Sequence, residues 1–213
     1  MRLPTLLILA ALTVVTAADP VTAIAFGDSI TFAGDLKEEE RWVGRIAAAS
    51  QGKLLVVNEG QNGRTSTALS DFDKALARTP NATLVIIVLG TNDLKNAPAD
   101  IGDKLAANLA KMVDAAATKL PKAKVMLAAP YNINPANLGD HWRQFGLGDG
   151  TPAQIHAMRD AVRLLATKRK LGFVDLDGVI PAANLPDGIH PDAVGHAKIA
   201  EAILAALKLT PRP

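Results

Sequence analysis

The sequence predicts a three-layer α/β/α domain built on a five-stranded parallel sheet, and two repeating patterns support this fold class. Short apolar segments without polar alternation recur along the chain, as expected for strands that are covered on both faces. Segments with helical periodicity lie between them, and strands that alternate with helices form parallel sheets. The length of 213 residues suits one such domain.

The predicted elements follow one another in regular order. The strand candidates are residues 21–26, 54–58, 84–89, 124–128 and 172–175. The helical segments are residues 39–50, 66–77, 98–119, 151–170 and 191–207. In segment 98–119, Leu105, Leu109 and Met112 recur at helical spacing, and Lys104 and Lys111 lie on the other side. This architecture is of the flavodoxin-like kind, in which ligands bind at the carboxyl ends of the strands.

The N-terminal residues 1–18 have the three parts of a secretory signal peptide. Arg2 supplies positive charge, residues 6–15 are apolar, and residues 16–18 are small. The apolar stretch is too short to span a bilayer. A buried helix is the alternative, but Pro4 and the lack of a polar face argue against it. We expect a secreted or periplasmic protein without a stable membrane anchor, whose residues 19–213 form a single domain.

Composition excludes several classes of function. The formal net charge is only +2 and basic residues are scattered among acids, so nothing indicates nucleic-acid binding. The chain has no cysteine, which excludes disulfides, cysteine-ligated metals and lipidation at cysteine. Residues 60–66 lack the lysine of a phosphate loop, and residues 175–178 do not continue as a calcium loop. We therefore predict no cofactor and no metal.

Four polar motifs follow predicted strands or precede the last helix. They are Gly27-Asp28-Ser29, Asn58-Glu59-Gly60, Gly90-Thr91-Asn92-Asp93 and Asp187-Gly188-Ile189-His190. Each motif alone is short enough to recur by chance. In this order, and at the ends of parallel strands, they are expected to meet at one edge of the sheet and to supply the groups that acyl transfer needs.

The first and last motifs supply a nucleophile, a base and an orienting acid. Ser29 follows the first strand, and a serine hydroxyl becomes a good nucleophile only when a base removes its proton. His190 is the candidate base, and Asp187 is placed to hold its productive tautomer. The structural alternatives are that Ser29 caps a helix and that Asp187 with Gly188 forms an ordinary turn.

The same motifs offer three hydrogen-bond donors for a developing oxyanion. They are the backbone N–H groups of Ser29 and Gly60 and the side-chain amide of Asn92. Glycine at position 60 is expected to leave room for the scissile carbonyl. Loss of one such donor in comparable enzymes costs about 2.7–4 kcal/mol of transition-state stabilisation.

Further residues are candidates for substrate contact. Arg64 follows the second strand and is placed to bind an acidic or polar alcohol portion, with a salt bridge to a carboxylate as the alternative. The irregular segment 130–151 contains Trp142 and Phe145, and it predicts a substrate-facing wall or lid, or else a packed surface loop. Among the other histidines, His196 is expected to serve packing.

The four motifs resemble those of the SGNH hydrolases, also called the GDSL family, along nearly the whole chain after residue 18. This resemblance implies nucleophile Ser29, catalytic partners His190 and Asp187, and oxyanion donors Ser29, Gly60 and Asn92. Residues 58–65 and 89–95 are most similar to bacterial arylesterases and acetyl esterases, a branch that prefers short acyl groups. Ile30 departs from the leucine of the family's name-giving tetrapeptide, a change of similar volume.

Three functional hypotheses follow from these residues. The first is a secreted serine esterase that forms an acyl-enzyme with small-molecule or carbohydrate esters of short acids. The second is a thioesterase or lysophospholipase for longer acyl chains, which would need an apolar groove. The third is a non-catalytic carbohydrate-binding protein on the same fold. The sequence does not indicate an oligomeric state.

Overall fold

The computed structural model describes residues 20–208, which form a parallel sheet of five strands. The strands are β1 (Val21–Gly27), β2 (Leu54–Gly60), β3 (Leu84–Val88), β4 (Lys124–Ala128) and β5 (Gly172–Val174). Their spatial order is β2-β1-β3-β4-β5. The predicted α/β fold class with a five-stranded parallel sheet is therefore confirmed. The predicted signal peptide, residues 1–18, lies outside the described residues.

The strand order brings the first three strand ends together. β1 pairs with β2 on one side and with β3 on the other, with Gly27 in register with Gly60 and with Val88. The chain changes its direction of travel across the sheet at this point, and such switch points are where α/β sheets bind ligands. The segments that follow β1, β2 and β3 therefore share one crevice.

Seven helices accompany the sheet within residues 20–208. They are α1 (Ser29–Phe32), α2 (Trp42–Ala49), α3 (Leu69–Arg78), α4 (Ile101–Lys119), α5 (Asp140–Arg143), α6 (Thr151–Arg169) and α7 (Ala193–Ala206). The predicted start of helix 66–77 is wrong, because the Ser66 N–H and hydroxyl bind the Asp93 carboxylate and hold this segment as a loop. The short helices α1 and α5 were not expected, since four residues show no periodicity.

Apolar side chains pack on both faces of the sheet and form two clusters. Helices α3, α4 and α6 cover the face that carries Ile24 and Phe26, and they bury Phe72, Leu105 and Met158 there. Helices α2 and α7 cover the other face, where Trp42, Ile46 and Ile199 are buried. Burial on both faces explains why β3 is apolar throughout, whereas the edge strand β2 is only partly buried and contains Asn58 and Glu59. None of the described helices is long and apolar enough to cross a membrane.

Candidate active site

A tight turn places Ser29 directly after the central strand of the sheet. The Asp28 side chain accepts a hydrogen bond from the Ile30 N–H at 3.0 Å and thereby caps α1. The alternative that Ser29 itself caps this helix is therefore wrong. A Cβ atom at Gly27 would lie 2.0 Å from the Thr31 hydroxyl, so glycine is required for the chain to turn this closely. The turn leaves the Ser29 hydroxyl directed into the crevice, where it meets His190.

Ser29, His190 and Asp187 form one hydrogen-bonded chain. Ser29 Oγ lies 3.0 Å from His190 Nε2, and His190 Nδ1 lies 2.7 Å from Asp187 Oδ2. The carboxylate accepts the Nδ1 proton, which leaves Nε2 as the acceptor for the serine proton. The structure thus brings together three residues that the sequence separates by up to 161 positions.

The loop that carries Asp187 and His190 is fixed by local hydrogen bonds. Asp187 Oδ1 accepts from the backbone N–H groups of Ile189 at 2.9 Å and His190 at 2.6 Å. Desolvation acts to raise the pKa of Asp187, but the bonds from His190 and Ile189 outweigh it and lower the pKa below its ordinary value. The carboxylate is therefore ionised at neutral pH. Gly188 has a φ of 84° and a Cβ there would meet Asn134 O at 2.7 Å, so both conformation and space require glycine.

The first part of segment 130–151 supports this loop from outside. The Tyr131 hydroxyl donates to Ile189 O, the Asn134 N–H donates to Gly188 O at 2.9 Å, and Asn137 Nδ2 donates to Leu185 O at 3.0 Å. Tyr131 is buried. Of the two structures expected for this segment, a substrate-facing wall and a packed loop, this part is the packed loop. It fixes the position of His190 relative to the sheet.

Asn92 is held beside Ser29 by a buried carboxyl group. Its Nδ2 donates to Asp28 Oδ2 at 3.3 Å, which leaves a second amide hydrogen for another acceptor. Burial raises the pKa of Asp28 to about 7, while the bonds from Ile30 and Asn92 and the nearby His190 act in the opposite direction. Asp28 therefore positions both the helix α1 and the Asn92 amide. The Ser29 N–H, in the first turn of α1, has no intrahelical acceptor.

Gly60 differs from the other two predicted donors. Its N–H already donates to Asn58 Oδ1 at 2.9 Å. That this N–H donates a hydrogen bond to the oxyanion therefore stays a prediction. The structure gives a reason for glycine at this position that the sequence did not show: a Cβ atom would lie 2.1 Å from Phe32 N, against the backbone of α1. Asn58 Nδ2 also donates to Thr31 O at 2.9 Å, which joins β2 to the same helix. Glycine here permits the close packing of β2 and α1.

A cleft of about 330 Å³ opens above Ser29 and His190. Trp142 of α5 forms one wall, with its ring centroid 5.7 Å from that of His190. Lys95 places its ammonium 5.1 Å from the Trp142 ring centroid and 5.5 Å from that of Phe145. Phe145 does not line the cleft but packs behind it against the core. The second part of segment 130–151 therefore faces the cleft through Trp142, and Phe145 supports it.

Arg64 is not brought to the cleft, which corrects its assignment as a substrate ligand. Its Nη1 donates to the backbone carbonyls of Gly27, at 2.6 Å, and Glu59, and its Nη2 donates to Gln61 Oε1 at 3.0 Å. The guanidinium lies 4.1 Å from the Phe26 ring centroid, and the residue is 7 % exposed. Arg64 holds the ends of β1 and β2 together.

The other histidines occupy different surroundings. His156 Nε2 lies 3.3 Å from Asp177 Oδ2, away from the cleft. His141 lines the cleft mouth and is exposed. His196 is buried and accepts a hydrogen bond at Nδ1 from the Trp42 N–H at 3.2 Å, which confirms its predicted packing role.

Several cleft residues were not predicted from the sequence. Phe32, Leu36 and Lys95 all line the cleft. Phe32 is 42 % exposed, which is unusual for a large apolar side chain so close to a buried turn. Two of them could have been predicted from their position in the sequence, because each lies three residues after a predicted site residue. Phe32 follows Ser29 in this way, and Lys95 follows Asn92.

Comparison with known sequences agrees with this geometry. Residues 25–198 match the sequence model of the GDSL-like lipase/acylhydrolase family. The chain belongs to this family. It is accordingly a carboxylic ester hydrolase with the SGNH hydrolase fold. No curated protein sequence matches the chain significantly.

Several solved structures share the fold of this hydrolase. Est24, a carbohydrate acetylesterase from Sinorhizobium meliloti, is 25% identical with a TM-score of 0.76, over 88% of this chain and 98% of that one. A putative arylesterase from Agrobacterium tumefaciens is 28% identical with a TM-score of 0.74, over the same shares. TesA is 28% identical with a TM-score of 0.68, over 89% of this chain and 99% of that one.

Proposed function

We propose that the protein is a serine esterase that hydrolyses short-chain acyl esters through Ser29, His190 and Asp187. The observation that carries this proposal is the unbroken hydrogen-bonded chain from Asp187 through His190 to Ser29, at 2.7 Å and 3.0 Å. This chain ends in a cleft beside the Asn92 amide, which has a hydrogen free for a substrate oxygen. The arrangement meets the requirements of acyl transfer, in which a base activates a hydroxyl next to oxyanion donors.

The proposed reaction has two halves that use the same base. Ser29 Oγ attacks the ester carbonyl carbon while His190 Nε2 takes the serine proton, and the carbonyl oxygen becomes an oxyanion near Asn92 and the Ser29 N–H. The carbon–oxygen bond to the alcohol then breaks and His190 returns the proton to the leaving oxygen. Water then attacks the acyl carbon and loses a proton to His190. The bond from the acyl carbon to Ser29 Oγ breaks, His190 returns the proton to Oγ, and the acid is released.

The size and chemistry of the cleft favour a small acyl group. A volume of about 330 Å³ is at the small end of ligand pockets. Its lining mixes polar side chains such as Asp35, Asn62 and Lys95 with the apolar Phe32 and Trp142, whereas a long acyl chain would need an apolar groove. The carbohydrate acetylesterase and arylesterase among the similar structures support acetyl-type esters of carbohydrates or aryl alcohols as substrates.

The proposed site of action is outside the cytoplasm, in the periplasm or the medium. Residues 1–18 have the positive start, apolar middle and small-residue end of a cleavable signal. The intact mass of the exported protein should correspond to a chain that begins near Ala18 or Asp19. A full-length chain retained in the cytoplasm would contradict this location.

The acyl-length preference is tested with a panel of p-nitrophenyl esters from acetate to palmitate, together with an acetylated monosaccharide, acetyl-xylan and a lysophospholipid. We expect kcat/KM to be highest for the acetate and to fall as the acyl chain outgrows the cleft. Faster hydrolysis of palmitate or of the lysophospholipid would instead favour the long-chain alternative. Glycan binding without hydrolysis of any ester would contradict the enzymatic proposal.

A further inference from the structure

His196 is a buried polar side chain in the wall of the cleft whose second ring nitrogen has no described partner. The residue is 2 % exposed, and it lies on α7, six residues after the proposed base. Its Nδ1 accepts from the Trp42 N–H at 3.2 Å, so the proton of the neutral ring is on Nε2. Among residues 20–208, the described hydrogen bonds of the His196 side chain include none from Nε2.

The free N–H of His196 is open to the cleft. Four buried polar side-chain atoms of the described residues have neither a hydrogen-bond partner nor accessible surface, and Nε2 is not among them. The small accessible area of His196 therefore includes this atom. The residue lines the same cleft as Ser29 and His190, together with Leu36 and Pro191. A ligand that covers this donor without supplying an acceptor would lose free energy, whereas a ligand oxygen at this place would satisfy it.

The charges around His196 keep its ring neutral. Burial lowers the pKa of His196 to about 4, and Arg45 of α2 acts in the same direction. His190 and Arg41 also lower it, whereas Asp192, which caps the start of α7, raises it. The ring is therefore a neutral donor at every pH at which the enzyme is expected to work, with the same tautomer throughout.

We propose that His196 Nε2–H is a hydrogen-bond donor to a hydroxyl or ring oxygen of the substrate, and that it makes the enzyme prefer esters of hydroxylated alcohols such as sugars. A cleft that needed only to hold an aryl or alkyl group would have no use for a buried, preoriented N–H. Asp35 lines the same cleft and is exposed, so it is available to accept from a second hydroxyl. This inference rests on the proposed esterase function and adds the class of the alcohol.

Two substitutions separate the free donor from the packing role. In His196→Asn the shorter side chain keeps an acceptor near the position of Nδ1 for the Trp42 N–H and removes the distal donor. In His196→Gln the longer side chain keeps a distal N–H and loses the acceptor for Trp42. His156→Asn is the matched control, because His156 pairs with Asp177 and does not line the cleft.

The measurement is the ratio of kcat/KM for a monoacetylated methyl glycoside to kcat/KM for cyclohexyl acetate, a ring of similar size without hydroxyls. We expect His196→Asn to lower this ratio by about 3- to 10-fold, mainly through KM for the glycoside, as loss of one neutral hydrogen bond predicts. His196→Gln should retain most of the ratio while its melting temperature falls. The control His156→Asn should keep the wild-type kcat/KM ratio and a melting temperature close to that of the wild type.

An unchanged ratio in His196→Asn, or an equal fall in His196→Asn and His196→Gln, would overturn the donor role. If His196→Asn does not fold, the His196→Gln variant still decides, because a lost ratio in that variant contradicts the proposal. Labelling of Ser29 by a fluorophosphonate distinguishes a failure of the proposed esterase mechanism from a failure of the proposed role of His196. Unlabelled wild-type protein would refute the esterase mechanism, whereas labelled variants with an unchanged ratio would refute only the role of His196.

Discussion

Replacing Ser29 with alanine is expected to lower kcat for p-nitrophenyl acetate by about 10⁶-fold, because no other group replaces the attacking oxygen. The described side-chain bond of this hydroxyl is the one to His190, at 3.0 Å, so its removal leaves the turn and α1 intact. Asp28 still caps the helix. The melting temperature should therefore stay close to that of the wild type while hydrolysis and fluorophosphonate labelling disappear.

The matched control for this variant is Ser70→Ala. Ser70 is exposed on α3 and lies outside the cleft, so this change removes a hydroxyl without touching the site. It should retain wild-type turnover and labelling. Unchanged hydrolysis in Ser29→Ala would refute the nucleophile, and a collapse of the melting temperature in that variant would contradict the structural argument.

Replacing Asp187 with asparagine is expected to lower kcat on the order of 10⁴-fold at neutral pH. The carboxylate accepts the His190 Nδ1 proton at 2.7 Å, whereas an amide that donates to Nδ1 would move the ring proton to Nε2. Nε2 then faces Ser29 as a donor and cannot take the serine proton. An asparagine oxygen still accepts from the Ile189 and His190 N–H groups, so the loop should keep its conformation.

The control for this variant is Asp103→Asn, an exposed change on α4 that also removes one negative charge. Turnover of p-nitrophenyl acetate and the melting temperature are measured for both proteins. We expect the control to match the wild type in both. A fall of less than 10-fold in Asp187→Asn would show that His190 does not depend on this carboxylate for its tautomer, which would leave the proposed triad without its acid.

The strands and most of the helices could be predicted from the sequence, because buried segments have a recognisable local pattern of apolar residues. The strand at residues 124–128 has the bounds that the sequence predicts, and its residues 125–128 are apolar and buried, as expected for a segment covered on both faces. The site residues Ser29, Asn92 and His190 were also predictable, because their motifs lie beside strand ends or open a helix and parallel strands end at one edge. These features depend on neighbours within a few positions.

Predictions failed where a side chain's direction depends on distant partners. Arg64 follows a strand end as a substrate ligand would, but the carbonyls of Gly27 and Glu59 draw its guanidinium inward. The predicted helix 66–77 begins three residues late because Asp93 holds Ser66, a contact across 27 positions. Neither partner is evident from periodicity, which records only whether a position is buried.

The sequence by itself determined the fold class and the family to which the chain belongs, and it contains the motifs from which the nucleophile, base and acid are proposed. Only the tertiary structure decided the size of the cleft, the wall formed by Trp142 and Lys95, and the free Nε2–H of His196. The reason is physical: apolar pattern and short motifs encode local burial and strand ends, whereas the shape of a cleft depends on which distant side chains the folded chain brings into contact.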